Sequence, residues 1–288
     1  MAEELRDLVA EELDQPVDRR VGEMAAAIAA KYGNAARAVL FYGSCLREKQ
    51  LDGLMLDFYL IVSSYQEAYG AGWLAFANRA VPPNVFPFQH GVLAAKYAVL
   101  SEADFARLNG PETRNVSVWA RFAQPSRLVW AADGMARGRA VDAVARAAPT
   151  LLDAAGGIEG EQPLDWWRRA FALTYSAELR AERKGRASSV VDVDPARYER
   201  FSGPAMAAIT TPAANHGSWA RRRVEGKFLS AVRLAKASTT FAGGADYIAW
   251  KINRHAGTDI KLKPWQRRFP LLGAISLLPR LLRSGAIR

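Results

Sequence analysis

Cysteine is almost missing from this 288-residue chain: Cys45 is its one example. An internal disulfide framework is thereby excluded, and three histidines with one cysteine are too few for a structural zinc site. The expectation is a reducing, cytosolic compartment. Long apolar runs are missing as well. No stretch of about 18 uninterrupted apolar residues occurs, which argues against a membrane-spanning helix, and the N-terminus lacks the basic and apolar regions of a secretory signal. Several catalytic signatures are absent: no Walker-A motif, no Rossmann glycine fingerprint, no His-Glu-x-x-His and no Gly-x-Ser-x-Gly elbow. No histidine stands near Cys45 in sequence, so packing behind a turn explains it better than a role as nucleophile. There are no internal repeats and no low-complexity tracts.

What the chain has in excess is positive charge. It carries 39 Lys+Arg against 29 Asp+Glu, a net +10, unevenly spread. Residues 1–14 hold six acids and one arginine, which leaves +15 for the rest. The sign points to an anionic partner: a nucleotide, nucleic acid or an acidic membrane.

The first 32 residues read as two helices, Glu3 to Leu13 and Arg19 to Tyr32, stopped at Gly33-Asn34. A strand Ala38 to Tyr42 runs into Gly43-Ser44, and after a polar stretch Met55 to Val62 forms a second strand. A helix is expected over 66–80, then a hairpin of Val85–Phe88 and Val92–Leu100 about a turn at 89–91. From Ser101 the period becomes helical and stays so. Ser101 with Asp104 starts a helix to Leu108, Val116 to Trp130 is an apolar segment broken at Pro125, and helices follow over 138–153, 164–184 and 219–236, the last a basic amphipathic helix with Val224, Phe228, Val232 and Ala235 on one side and Arg221, Arg222, Arg223, Lys227, Arg233 and Lys236 around it. Residues 190–193 read as a short extended piece, with Asp194-Pro195 opening another helix. The domains expected are 1–132, a helical one over 133–260, and a tail over 261–288. Strands followed by helices make the fold class α+β.

Three charges stand where an apolar pattern leads one to expect none. Asp57 interrupts a strand that reads as covered on both faces, where a carboxylate is costly unless paired, hydrogen-bonded or metal-bound. Lys96 interrupts the strand around Tyr97; it is either a cation aimed at phosphates or an edge-strand lysine reaching water. Glu178 continues the stripe Trp167, Phe171, Thr174, either facing a site or marking a helix end that meets solvent. Gly43 and Ser44 complete the pattern, because a residue without a side chain lets backbone N–H groups approach phosphate, and a following helix would add its own amides. A backbone cradle beside an acid that can hold magnesium is what nucleotidyl transfer needs. A plain strand-turn-helix with a satisfied aspartate is the alternative.

Phe41-Tyr42-Gly43-Ser44, Met55-Leu56-Asp57-Phe58-Tyr59-Leu60-Ile61-Val62, Lys96-Tyr97-Ala98-Val99-Leu100-Ser101, Arg121-Phe122-Ala123-Gln124-Pro125 and Tyr175-Ser176-Ala177-Glu178-Leu179-Arg180 occur in one order and rough spacing. In this the chain resembles the mitochondrial-type phosphatidate cytidylyltransferases, the CDP-diacylglycerol synthases, over roughly residues 38–205. The resemblance implies a nucleotidyltransferase-like (polymerase-beta-like) mixed sheet with helices, followed by an all-helical C-terminal domain, with the active site between them. It places Tyr42, Gly43, Ser44, Lys96 and Arg180 at CTP, Asp57 on Mg2+, and Asp57, Lys96 and Glu178 in catalysis. Two positions depart from the pattern. Cys45 stands where a second glycine is common, and Tyr59 where the wider fold carries a second acid, so that Asp57 acts almost alone or recruits Glu178, Asp192 or Asp194.

The expected reaction is transfer of CMP from CTP to phosphatidate, giving CDP-diacylglycerol and pyrophosphate. The last 28 residues hold seven cations, no acid, Trp265 and a leucine-rich block, the makeup of a segment lying in a membrane interface. Docking on the protein's own core and a nucleic-acid arm are the other readings of this tail; the leucines speak against nucleic acid. The partners expected are CTP, phosphatidate and an acidic membrane surface, with no nucleic acid, and the place is cytoplasmic, peripheral on the inner face of the membrane. A soluble nucleotidyltransferase acting on a small molecule or an RNA end, and a noncatalytic binding protein on a degenerate fold, stay open.

Overall fold

Helices α1 (Ala2–Leu13) and α2 (Arg19–Ala30) precede strand β1 (Ala36–Tyr42) in the computed structural model, which describes residues 2–47, 51–178, 190–209, 218–240, 261–268 and 276. After β2 (Met55–Val62) come two short helices, α3 (Tyr65–Tyr69) and α4 (Trp73–Ala80), and the hairpin of β3 (Asn84–His90) and β4 (Leu93–Ser101). Helices α5 (Glu102–Asn109) and α6 (Trp119–Phe122) lead to β5 (Ser126–Ala131). The described elements beyond it are helices: α7 (Gly134–Ala145), α8 (Ala147–Ala155), α9 (Pro163–Ala177), α10 (Pro195–Ala207), α11 (Trp219–Thr240) and α12 (Pro264–Arg268).

The strands form one mixed sheet in the order β3-β4-β2-β1-β5, parallel between β2 and β4 and antiparallel elsewhere. Alternation of side chains sends Val39, Phe41, Phe58 and Leu60 to one face, where Val21, Met24 and Ile28 of α2 cover them. Ala38, Leu40, Tyr59 and Ile61 face the other way, into a cluster that runs from Leu5 on α1 to Ala205 on α10. Burial on both faces is why β1 and β2 read as nearly continuous apolar runs. The second cluster also joins sheet and helices into one core. A buried ion pair lies inside that junction: Arg197 of α10 holds Glu12 of α1 with Nη2 to Oε1 at 2.9 Å, and its guanidinium carbon lies 4.4 Å from the Phe201 ring centroid.

The helix starts follow local chemistry. Asp18, Ser101, Asp133 and Asp194 each accept a backbone N–H from the first turn of α2, α5, α7 and α10 respectively. Several expected elements come out differently. The helix expected over 66–80 breaks at Gly70, whose φ of +69° suits glycine. The segment over 116–130 is divided: α6 ends at Phe122, and the residues after Pro125 turn into β5, the edge strand paired with β1. The helix over 138–153 is two helices meeting near Arg146. Residues 190–192 are helical rather than extended, because Val190 and Val191 are buried against the common core.

Helix α11 reverses its expected faces. Val224 and Phe228, two of the residues expected on its apolar side, are 71% and 68% exposed. Its buried side carries Arg222, Gly226 and Lys236. The buried cations of this helix reach main-chain oxygens: Arg222 Nη1 donates to Arg114 O at 2.9 Å, Arg233 Nε to Pro82 O at 2.8 Å, and Lys236 Nζ to the carbonyls of Ala77 and Val81 at the end of α4. Carbonyls at a helix C-terminus attract cations, so α11 is held by cation-to-carbonyl bonds where an apolar stripe was expected. Gly226 allows a close crossing with α9, since a Cβ there would fall 2.2 Å from Ala177 O. Among the described residues no helix is long and apolar enough to cross a membrane. Of the tail, α12, its flank 261–263 and Ser276 are described; the leucine-rich block apart from Ser276 lies outside the described residues.

Candidate active site

Sheet register brings the expected strand residues together. Tyr42, the last residue of β1, stands opposite Asp57, and Asp57 stands beside Lys96 on the parallel neighbour β4. By alternation all three belong to the face covered by the helical half. Lys96 Nζ lies 3.0 Å from Asp57 Oδ1. That is a close ion pair but not an aligned hydrogen bond, and among the described residues the buried Oδ1 has no hydrogen-bond partner. Both side chains keep about a quarter of their surface exposed, 25% for Lys96 and 22% for Asp57, so a ligand can reach them.

Gly43 ties the turn to this pair. Its φ of +94° is a conformation that side chains rarely adopt, and a Cβ built on it would stand 3.3 Å from Asp57 Oδ2. The main chain at Gly43 therefore abuts the carboxylate. Ser44 follows, exposed, at the head of a four-residue 3-10 turn, Ser44–Arg47. The helix expected after Gly-Ser is thus only this turn, and it brings no helix N-terminus to the site. Cys45 is buried behind it and donates its thiol to Met55 O at 3.6 Å, a packing role.

The helical half supplies the opposite wall. Tyr42 and Tyr59 lie 5.2 Å apart by ring centroids, and both contact Phe122 of α6. Burial, and next the Asp57 carboxylate, push the Tyr42 hydroxyl well above its usual range; burial raises Tyr59 too, against the opposing pull of Arg121 and Arg233. Both phenols are neutral donors near neutral pH. Arg121, beside Phe122, sits within electrostatic reach of Glu178, Tyr59, Tyr42 and Asp57; burial works against its charge, but these groups outweigh it and hold the guanidinium firmly protonated. Arg121 Nη1 lies 3.6 Å from Glu178 Oε1. Glu178 is the C-cap of α9, in extended conformation, so the helix expected to run to 184 stops at Ala177 and turns its last acid inward, 7% exposed.

Arg233 of α11 completes the wall. Its Nη1 donates to Ser117 Oγ at 2.9 Å, while Arg121 donates to the carbonyl of that same Ser117. Burial, and the like charge of Arg121, lower the Arg233 pKa; the same two kinds of cause, burial and then Arg233, draw Lys236 down to about 7.

Of the residues expected at a site, Tyr42, Gly43, Asp57 and Lys96 meet directly, Glu178 joins them through Arg121, Ser44 turns outward, and Arg180 lies outside the described residues. Of the acids considered as a second metal ligand, Asp192 is paired with Arg168 at 2.8 Å, Asp194 caps α10, and Glu178 faces Arg121. Among the described residues no three His, Cys, Asp or Glu side chains gather as metal ligands. The donor set fits magnesium in its substrate-completed form, with one carboxylate and the remaining positions filled by phosphate oxygens and water; the Asp57 carboxylate, ion-paired to Lys96 and with no hydrogen bond to its buried Oδ1 among the described residues, is the group that fits it. Arg121, Arg233 and Lys236 had no assigned role in the sequence, where a cation on a helix looks the same whether it faces solvent or a site. Compared with known proteins, the chain matches no family model and no curated protein sequence.

Proposed function

We propose that this protein is a phosphatidate cytidylyltransferase, moving CMP from CTP to phosphatidate with Mg2+ as cofactor. One observation carries the reading: a glycine turn at positive φ just after β1, a carboxylate on β2 whose buried oxygen has no hydrogen bond among the described residues, and the β4 lysine ion-paired to it lie together beneath a wall of guanidinium groups. It is joined by the five ordered segments in which the chain resembles that family.

The phosphatidate phosphate is anionic at neutral pH, so one of its oxygens attacks the α-phosphorus of CTP with little need of a general base. The α–β bridging bond breaks and pyrophosphate leaves. What the protein must supply is alignment and charge neutralisation. Gly43 keeps the backbone open where the triphosphate passes, Lys96 exchanges part of its contact with Asp57 for phosphate oxygens, and Tyr42 donates as a neutral phenol. Magnesium, when held by Asp57, supplies further neutralisation of the triphosphate. Arg121, fixed by Glu178, keeps its charge against the charge developing in the transition state. The protein works peripherally, on the inner face of the membrane. Val224 and Phe228, exposed on α11 among the exposed Arg221, Arg223 and Lys227, support surface contact with acidic lipid.

The test is incubation of the purified protein with labelled CTP, Mg2+ and vesicles containing phosphatidate, followed by lipid chromatography, for wild type and Asp57→Ala. Wild type forms a labelled CDP-lipid and the variant does not. A wild type that forms none, or a variant that forms as much, would end this reading.

A further inference from the structure

We propose that Arg233, paired with Arg121 around Ser117, forms a binding site for a phosphate monoester, the phosphate of the acceptor lipid. The inference rests on the transfer reading for the identity of the ligand, and on geometry for the site itself. Two guanidinium groups share one small residue: Arg121 donates to the Ser117 carbonyl and Arg233 to its hydroxyl at 2.9 Å. Placing two like charges this close in a poorly hydrated wall is costly without counter-charge. Glu178 supplies one negative charge and lies against Arg121. Asp57 supplies another and lies against Lys96. Each pair is neutral in itself, which leaves Arg233 a surplus cation among the described residues.

The contacts of Arg233 leave that surplus in place. Pro82 O and Ser117 Oγ, its acceptors among the described residues, are both uncharged. They engage two of the five N–H donors of a guanidinium and fix its plane, so the others are presented as a rigid fork. Such a fork beside a second guanidinium matches the oxygens of a phosphate dianion. The location separates this site from the nucleotide. If the triphosphate runs along Gly43, Asp57 and Lys96, in-line displacement requires the attacking oxygen to come from the side opposite the departing pyrophosphate, and the two arginines come from the helical wall across the sheet face. Helix α11 also joins the two needs of a lipid acceptor, with Val224 and Phe228 exposed on one side and Arg233 turned to the site.

A binding arm and a kinetic arm test this. Inorganic phosphate is titrated calorimetrically into wild type, Arg233→Gln, Arg233→Lys and Ser117→Ala, with the melting temperature of each variant recorded. Wild type binds saturably, and Arg233→Gln weakens binding on the order of tenfold or more, the loss expected for a charged hydrogen-bond donor. Arg233→Lys keeps the charge but not the fork and falls between them; Ser117→Ala, which removes the hydroxyl that holds Arg233 and keeps the carbonyl that Arg121 reaches, also weakens binding and serves if Arg233→Gln does not fold. Equal affinity in folded variants, or no saturable binding by wild type, overturns the proposal. In the kinetic arm, KM for phosphatidate in mixed vesicles rises by a similar factor in Arg233→Gln while KM for CTP stays within about twofold. A rise confined to CTP assigns the arginines to the nucleotide and overturns the acceptor assignment. Phosphate binding that depends on Arg233 in a protein without CDP-lipid synthesis supports the anion site and refutes the transfer reading, so the two can fail separately.

Discussion

Replacing Gly43 with alanine separates the part this turn plays in folding from the part it plays at the carboxylate. The φ of +94° costs an alanine about 1–2 kcal/mol, because its Cβ crowds the neighbouring main chain. For a chain of this size that lowers Tm by roughly 2–8 °C. The second effect is positional. The new methyl would stand 3.3 Å from Asp57 Oδ2, closer than carbon and oxygen normally settle, and the atom that yields is the end of a rotatable side chain rather than backbone. Its energetic cost is therefore small, but the carboxylate moves by a few tenths of an ångström and pulls on its contact with Lys96. A full ångström of misplacement costs on the order of a hundredfold in rate, so this smaller shift is expected to cost on the order of tenfold. Gly91 provides the control: it has φ +58° at the β3–β4 hairpin, and nothing lies within 4 Å of a Cβ built there. Urea denaturation and CDP-lipid synthesis, measured on Gly43→Ala and Gly91→Ala, are expected to show similar losses of stability and a large loss of turnover in Gly43→Ala alone. If Gly43→Ala keeps turnover within a few-fold while losing as much stability as the control, the position of Asp57 is not what the chemistry depends on.

Two further predictions concern buried charge. Lys236, drawn down to about 7 by burial and Arg233, has an ordinary value near 10.5 once unfolded, so between those pH values the unfolded chain holds a proton that the folded chain has released. Stability contributed at this residue is therefore lowest below pH 7 and rises toward pH 10, by on the order of a few kcal/mol; urea midpoints of wild type and Lys236→Met should diverge as pH falls from 9.5 to 6.5, and parallel curves would refute the shift. Glu12→Ala leaves Arg197 buried without its carboxylate and should cost about 3–5 kcal/mol in urea unfolding, with Glu12→Ala/Arg197→Met recovering part of the loss.

The strand pair at the site was legible in the sequence because a charge inside an apolar run is expensive, and of the three charges set in apolar patterns Asp57 and Lys96 are the two on strands. The same arithmetic could not find Arg121 or Arg233. A cation on a helix costs nothing in sequence terms, and only the packing of α6 and α11 over Ser117 turns these two into a wall. Strand β5 escaped notice for a related reason: at the sheet edge it is half-buried, so Ser126–Ala131 lacks the strong pattern of β1 and β2 and merges with the apolar residues before Pro125. Tertiary contacts also outweighed local preference at Val190 and Val191, where β-branched residues bury themselves in a helical turn.

The bare Cα of Gly226 pressed against Ala177 O sets more than a contact between two helices. It fixes the rotational phase of α11, because a crossing this tight admits only one residue at the point of closest approach. Each residue beyond that point advances about 1.5 Å and turns about 100°, so Arg233 is metered from the crossing at roughly 10 Å and just under two full turns. The anchor lies at the very carbonyl after which α9 ends and Glu178 turns inward, so the acid and the cation on either side of Arg121 are measured from one shared origin. Insertion of a single residue between 226 and 233 would leave every side chain in the wall intact and swing Arg233 about a quarter turn off the site. The wall is thus specified as much by counting along α11 as by the chemistry of the residues it carries.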